Sequence, residues 1–307
     1  MCFFGLIPAY SFILVRDMID DIVLFEKEPM RKHTTLRIGG TVSTYITVTG
    51  IEALRKLIKR FQERGQRYIV IGGGSNIVWP DDDLDLVVIN LSGLRHIKRI
   101  DERTVLAGAG LSLSALVRYT ASSGLKGLEG LFGIPGTVGG AIKGNAGAFG
   151  YEIKDTLYYV KVIDACGEFR EISSDDIIFG YRSSSIKDEE IIVEGAFRLK
   201  EGSRGILIDT MRQYLKKRRQ TQPIGLPSAG CVFKNPPEDF AGRLIDEAGC
   251  KGMRSGGMEV STVHANFIVN RGKGTQKDFL TLMEMVQDRV MKRFKIFLEP
   301  EVKIIRA

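Results

Sequence analysis

Ten of the 35 glycines of this chain fall between Gly124 and Gly150, in the run GLKGLEGLFGIPGTVGGAIKGNAGAFG. Glycine loses more backbone entropy on folding than any other residue, and what it brings is positive φ or a close approach of main chain to another group. Gly124, Gly127, Gly130, Gly133, Gly136 and Gly139 are spaced by three, as in collagen. A triple helix needs a long run of such triplets rich in proline, whereas this one is short and holds the single Pro135. Flexible linkers are polar and Ser-rich, whereas Leu125, Leu128, Leu131, Phe132, Ile134, Val138 and Ile142 are interleaved here. The segment therefore reads as an ordered, semi-buried loop. Successive N–H groups in tight turns form concave sites for anions such as phosphate, so a ligand loop is expected from Gly133 to Gly150.

The 307 residues are 44% apolar and 26% charged, enough for more than one globular domain. A net charge of +7 suits anionic ligands or nucleic acid. Its one dense cluster, Lys216-Lys217-Arg218-Arg219, reads mostly as a solvated helix face. Aromatics are not interleaved with basic residues, so stacking on a nucleic acid strand is poorly supported and no nucleic-acid partner is expected. Cys2, Cys166, Cys231 and Cys250 form no CxxC pair, so no metal or redox disulfide is expected, and isolated thiols fit a reducing compartment. The first 15 residues are apolar but lack a basic start and are too short to cross a bilayer. They read as an extension, with a signal-like alternative, and no membrane association is expected.

Periodicity places strands at Tyr45 to Thr49, Tyr68 to Ile71, Leu86 to Asn90 and Val105 to Ala109, with helices at Ile51 to Glu63 and Ser112 to Ser123. Tyr158 to Asp164, Glu168 to Ile172 and Ile191 to Leu199 are strand-like. Composition shifts near Gly202. Beyond it, Ile206 to Arg219, Phe240 to Ala248 and Lys277 to Phe294 read as helices, and His264 to Val269 and Glu301 to Ile305 as strands.

The strand Ile69 to Ile71 runs into Gly72-Gly73-Gly74-Ser75-Asn76. This is neither GxGxxG nor GxxxxGK[ST], so Rossmann and P-loop assignments fail on spacing. Two glycine-rich anion loops in one chain fit a pyrophosphate, hence a dinucleotide cofactor such as FAD. From the residues alone, Arg182 in FGYRSS reads as a surface arginine, Cys231 in PSAGCVFKNP more readily as an apolar filler than as a catalyst, and Glu301 in LEPEV equally as an exposed strand residue. Lys234 and Asn235 could bind an anionic, hydrogen-bonding substrate, and His264 and Asn266 offer two more polar groups.

Taken in order, HTTLRIGG (His33 to Gly40), IGGGSN, GIPGTVGGAIKGNAGAFG, FGYRSS, PSAGCVFKNP, LIDEAGCKG, VSTVHANFIVN and LEPEV resemble the UDP-N-acetylenolpyruvoylglucosamine reductase family, in its more compact type. The resemblance covers roughly Glu28 onward. It implies an α+β fold: a two-lobed p-cresol methylhydroxylase-type FAD-binding domain plus a C-terminal α+β substrate-binding domain. The expected layout is an N-terminal extension over 1–27, lobe 1 over 28–91 with a C-terminal strand from 300–307, lobe 2 over 92–202 and the substrate-binding domain over 203–299.

The resemblance also implies a cytoplasmic, monomeric enzyme of peptidoglycan precursor synthesis. NADPH reduces FAD, whose N5 delivers hydride to the enolpyruvyl ether of the UDP-sugar, giving UDP-N-acetylmuramate. It assigns Arg182 and Glu301 to stabilisation of the resulting enolate and Cys231 to its protonation, at a position where many members carry serine. FAD contacts are expected from Gly72, Gly73, Gly74, Ser75, Asn76, Ile77, Gly133, Ile134, Pro135, Gly136, Thr137, Gly139, Gly140, Asn145, Ala146 and Gly147. Substrate contacts are expected from Lys217, Lys234, Asn235, His264 and Asn266. A sugar or alcohol oxidase on the same flavin fold would share the glycine segments and lack PSAGC, HANF and LEPEV. A basic nucleotide-binding protein would use the glycine loops for phosphates alone.

Overall fold

The computed structural model describes residues 21–306. Strands β1 (Ile22–Pro29), β2 (Thr41–Val48), β3 (Tyr68–Ile71), β4 (Ile77–Val78) and β5 (Leu84–Asn90) build the first lobe. Its four-stranded sheet runs β1-β2-β5-β3. β1 is antiparallel to β2, and β5 is parallel to both β2 and β3. Parallel strands need a crossover, supplied by helix α1 (Ile51–Arg64), which buries Ala53, Leu54, Leu57, Ile58 and Phe61. The helix stops at Gly65, whose φ of 61° is the left-handed cap that glycine adopts at little cost.

β1 was not expected. The apolar stretch Met1 to Val15 lies outside the described residues, but Ile22 is buried and pairs with Val48, so the expected boundary after Lys27 falls inside a strand of the first sheet.

The second lobe is an antiparallel sheet of β6 (Ile97–Arg99), β7 (Thr104–Gly108), β8 (Leu157–Ile163), β9 (Phe169–Ser173) and β10 (Ile191–Arg198), in the order β9-β8-β10-β7-β6. Central β10 is buried from Ile191 to Phe197, with Glu194 in its middle paired to His96 and Lys161. Helix α2 (Leu113–Ser122) begins at Ser112, whose hydroxyl accepts the Ala115 N–H. One apolar core joins the lobes, from Leu54 and Phe61 to Val105 and Val162. Within the glycine segment, Val138–Lys143 forms a short helix, α3, burying Val138, Ala141 and Ile142.

Helix α4 (Arg204–Thr221) sends Leu207 and Met211 into that same core, so it packs with the second lobe although the composition shift precedes it. The C-terminal unit has β11 (Ser228–Cys231), β12 (Arg254–Ser255), β13 (Met258–Val260) and β14 (Phe267–Asn270) in the order β11-β14-β13-β12. Helices α5 (Ala241–Glu247) and α6 (Gln276–Phe294) cover it through Leu244, Ile245, Phe279, Leu282 and Val286. Leu36, Ile38 and Val78 of the first lobe enter this second core. β14 starts later than expected, because the Ser261 hydroxyl accepts the N–H groups of Val263 and His264 and bends the chain there. The last strand, β15 (Lys303–Ile304), pairs in parallel with β4. The architecture has the expected layout: two α+β lobes plus a C-terminal α+β unit.

Candidate active site

The two glycine loops touch each other. The Ser75 hydroxyl donates to Pro135 O at 3.1 Å. A Cβ at Gly72 would stand 2.4 Å from Thr137 Oγ1, and one at Gly136, where φ is 121°, 2.8 Å from Ser75 Oγ. Both positions exclude a side chain, and Gly136 adopts a backbone that favours glycine. Among the described residues, the N–H groups of Gly73, Gly74 and Ser75 on one loop, and of Gly136 and Thr137 on the other, have no protein acceptor. That set of donors, with main chain stripped of side chains, fits a pyrophosphate-bearing cofactor.

Other members of the expected cofactor set hold the loop itself. The Gly133 N–H goes to Ser114 Oγ, Ile134 N–H to Leu131 O, Gly139 N–H to Ala109 O and Ala146 N–H to Ala141 O. Gly140 lies within α3, Ile77 pairs with Lys303, and Asn76 donates to Glu301 O at 3.1 Å. Asn145 is fully buried with all its side-chain bonds inside the protein.

The predicted chemical group assembles where the three units meet. Arg182 sits in the tip between the paired Phe179–Gly180 and Ser183–Ser184, at φ 58°. Its Nε donates to Glu301 Oε1 at 3.0 Å and its Nη2 to Gly147 O at 3.1 Å. Glu301 is fixed from both sides: its N–H donates to Val232 O at 2.7 Å and its carbonyl accepts from Asn76. Burial pushes the Glu301 carboxyl up, and the Arg182 guanidinium pulls it part of the way back. Cys231 ends β11. Burial, then the Glu301 carboxylate, pushes its thiol up to about 12, against the opposing pull of Arg182 and Arg218. The thiol is thus held neutral at physiological pH.

A cavity of about 390 Å³ opens beside this group, lined by Gly147, Tyr151, Glu152, Tyr181, Arg182 and Asn235. Asn235 thereby reaches the site, while its Oδ1 accepts the Ala241 N–H at the start of α5. Lys234 is paired with Glu299 at 3.4 Å on the surface. His264 Nδ1 accepts the Asn266 N–H, and burial pushes the imidazole down toward the neutral form. Asn266 is not available to a ligand through its side chain: its Nδ2 donates to Phe233 O at 2.8 Å and its Oδ1 accepts the Phe233 N–H at 2.9 Å.

The comparisons decide the family. The family described as UDP-N-acetylenolpyruvoylglucosamine reductase, C-terminal domain, matches residues 222–305, and an FAD binding domain matches 42–173. The UDP-N-acetylenolpyruvoylglucosamine reductase of Heliobacterium modesticaldum is 41% identical over 282 residues, 91% of this chain and 90% of the relative. That of Alkaliphilus oremlandii is 39% identical over 300 residues, 97% of this chain and 98% of the relative. The chain belongs to the UDP-N-acetylenolpyruvoylglucosamine reductase family. The crystal structure of UDP-N-acetylenolpyruvylglucosamine reductase from Thermus caldophilus superposes with a TM-score of 0.79 at 36% identity, covering 93% of this chain and 99% of that one. As a member of the reductase family, the chain is an FAD-binding oxidoreductase of peptidoglycan synthesis. No helix among its described residues is long and apolar enough to cross a membrane.

One charged residue of this reductase-family site went unnoticed in the sequence. In the basic run, Lys216, Lys217 and Arg219 are exposed, but Arg218 is 5% exposed. Its Nε donates to Phe132 O at 3.1 Å, and its guanidinium lies 5.0 Å from the centre of the Phe149 ring. Among the described residues it pairs with no carboxylate. The signal was present: Leu207, Met211 and Arg218 fall on one stripe of α4. Lys217, one of the residues expected to bind substrate, is exposed, and its Nζ lies over the same ring, 5.2 Å from the Phe149 ring centre.

Proposed function

We propose that this chain uses NADPH, through FAD, to reduce UDP-N-acetylenolpyruvoylglucosamine to UDP-N-acetylmuramate in the cytoplasm, and that Cys231 supplies the proton. FAD, when bound, supplies the hydride that NADPH provides. The observation that carries the reading is a neutral, desolvated thiol next to the Arg182–Glu301 pair. Addition of hydride to the terminal alkene carbon leaves negative charge on the carboxylate side as an enolate. The Arg182 guanidinium faces that charge directly. Burial holds the Glu301 carboxyl above its ordinary range, so it takes up a proton more readily beside the developing enolate and can then hydrogen-bond an enolate oxygen. The Cys231 S–H bond then breaks, its proton goes to the carbon next to the carboxylate, and the thiolate recovers a proton from solvent. A donor must hold its proton to give it, and the burial of Cys231 ensures this at neutral pH. Arg218 leaves one positive charge uncompensated beside the thiol, which suits an anionic UDP-sugar. Asn235, Tyr151 and Tyr181 line the same cavity and offer further polar groups to substrate. A monomer with these two small-molecule partners fits the reading.

The test separates the two half-reactions. Cys231→Ala should keep flavin reduction by NADPH and lose most of the reoxidation by the enolpyruvyl substrate, and Cys231→Ser should restore it in large part. Full turnover in Cys231→Ala would remove the thiol from the mechanism.

A further inference from the structure

We infer that Asn145 is a positioning residue for Arg182, acting on the substrate half of the reaction and not on cofactor retention. The tip that carries Arg182 has a non-glycine residue at φ 58°, a conformation that side-chain-bearing residues rarely adopt and that persists only where the surroundings dictate it. The segment Lys143–Gly147 supplies that constraint. Asn145 Nδ2 donates to Gly180 O at 3.1 Å on one arm of the tip, and the Ser184 hydroxyl donates to Lys143 O at 2.8 Å on the other. Gly147 O then accepts from the Arg182 guanidinium itself at 3.1 Å.

Asn145 is built into this bracket. It is 0% exposed and itself at φ 40°, a backbone asparagine tolerates better than most residues. Its second Nδ2 hydrogen goes to Glu152 Oε2 at 3.1 Å, and its Oδ1 accepts the Lys154 N–H at 3.1 Å. An aspartate could not donate to Gly180 O and would set a second carboxylate against Glu152. The side chain has no donor left for a cofactor, so its contribution passes through the angle at which Arg182 meets Glu301.

The inference rests on the roles proposed above for Arg182 and Glu301, and the measurements keep the two apart. In purified holoenzyme, Asn145→Ala should retain FAD and be reduced by NADPH at the unaltered rate. Reoxidation by the enolpyruvyl substrate should slow on the order of 100-fold, the effect of a roughly 1 Å misplacement of a catalytic group. The Glu301 limb in the pH profile of reoxidation should move to higher pH, because the guanidinium that pulls that carboxyl down is no longer aligned. Ser184→Ala should move both readouts in the same direction by less, and decides the matter alone if Asn145→Ala does not fold. Loss of FAD, unaltered reoxidation or a fixed Glu301 limb would overturn the positioning role. Wild-type reoxidation in Arg182→Ala would instead overturn the role of Arg182, whatever Asn145 does.

Discussion

Arg182 Nε and Glu301 Oε1 meet at 3.0 Å across 119 positions of sequence. The first hangs on a strained tip of the second lobe, and the second on a segment clamped between Asn76, just before β4, and Val232, just after β11. The pair fixes the distance between units that contribute different parts of the chemistry.

Arg182→Ala removes the cation that opposes burial at Glu301, so that carboxyl titrates at higher pH still. The expected loss in substrate-driven reoxidation is on the order of 100- to 1,000-fold, as for removal of one donor from a charge-stabilising site. Stopped-flow traces of the two half-reactions over a pH series check both points.

Cys231 ties stability to pH in the alkaline range. Below the ordinary thiol value of about 8.5 the folded and unfolded states are both protonated and no dependence arises. Between that value and about 12 the unfolded chain loses its proton while the folded one keeps it, so stability falls as pH rises. Denaturation midpoints taken from about pH 7 to about pH 10 should fall less steeply in Cys231→Ser than in wild type. Alkylation at neutral pH should label exposed Cys166 first, half-buried Cys231 more slowly because its thiol is held neutral, and buried Cys250 last.

Gly72→Ala drives a methyl group against Thr137 Oγ1. The protein should purify folded but poor in FAD, with the apparent affinity for added FAD reduced at least about tenfold, which corresponds to 1.4 kcal/mol. Visible flavin absorbance per polypeptide reads this directly.

Asn266→Ala leaves the buried N–H and C=O of Phe233 without partners. The expected cost is on the order of 3 kcal/mol of stability. The Michaelis constant for the UDP-sugar should stay within about twofold in enzyme that remains folded, since the side chain contacts protein alone. Calorimetry and steady-state kinetics together distinguish this clasp from a substrate ligand.

In the basic run, Lys217→Ala should change the Michaelis constant for the UDP-sugar little. Arg218→Gln should raise it about tenfold or more, the value of one charge-assisted contact. An equal response from the two variants would contradict the burial difference that separates them.

How much of this was legible in the chain depends on how local each cause is. α1 and α6 announce themselves because their buried residues repeat at helical spacing and their ends carry Gly65 and the Thr275–Asp278 capping box. α3 does not, because each of its glycines opposes a helix by about 1 kcal/mol and only packing of Val138, Ala141 and Ile142 overrides that preference. β1 is an edge strand with Glu26, Lys27 and Glu28 in a row, so no alternation marks it. Arg182, Cys231 and Glu301 were named from motif resemblance; the closeness of Arg182 and Glu301 follows from tertiary structure. Asn145 and Asn266 carry no local sign of their bracing roles, since their partners Gly180 and Phe233 lie 35 and 33 positions away.

The segment from Leu298 to Val302 completes both the C-terminal core and the reacting group. A nascent chain that has emerged only as far as α6 already has both glycine loops, Arg182 and Cys231, yet lacks the carboxyl partner and the strand that closes on β4. The last residues to leave the ribosome are therefore the ones that join the first lobe, the C-terminal core and Arg182. Loss of a few residues from that segment, by proteolysis or a premature stop, would remove the carboxyl partner of Arg182 and part of the C-terminal core in one cut.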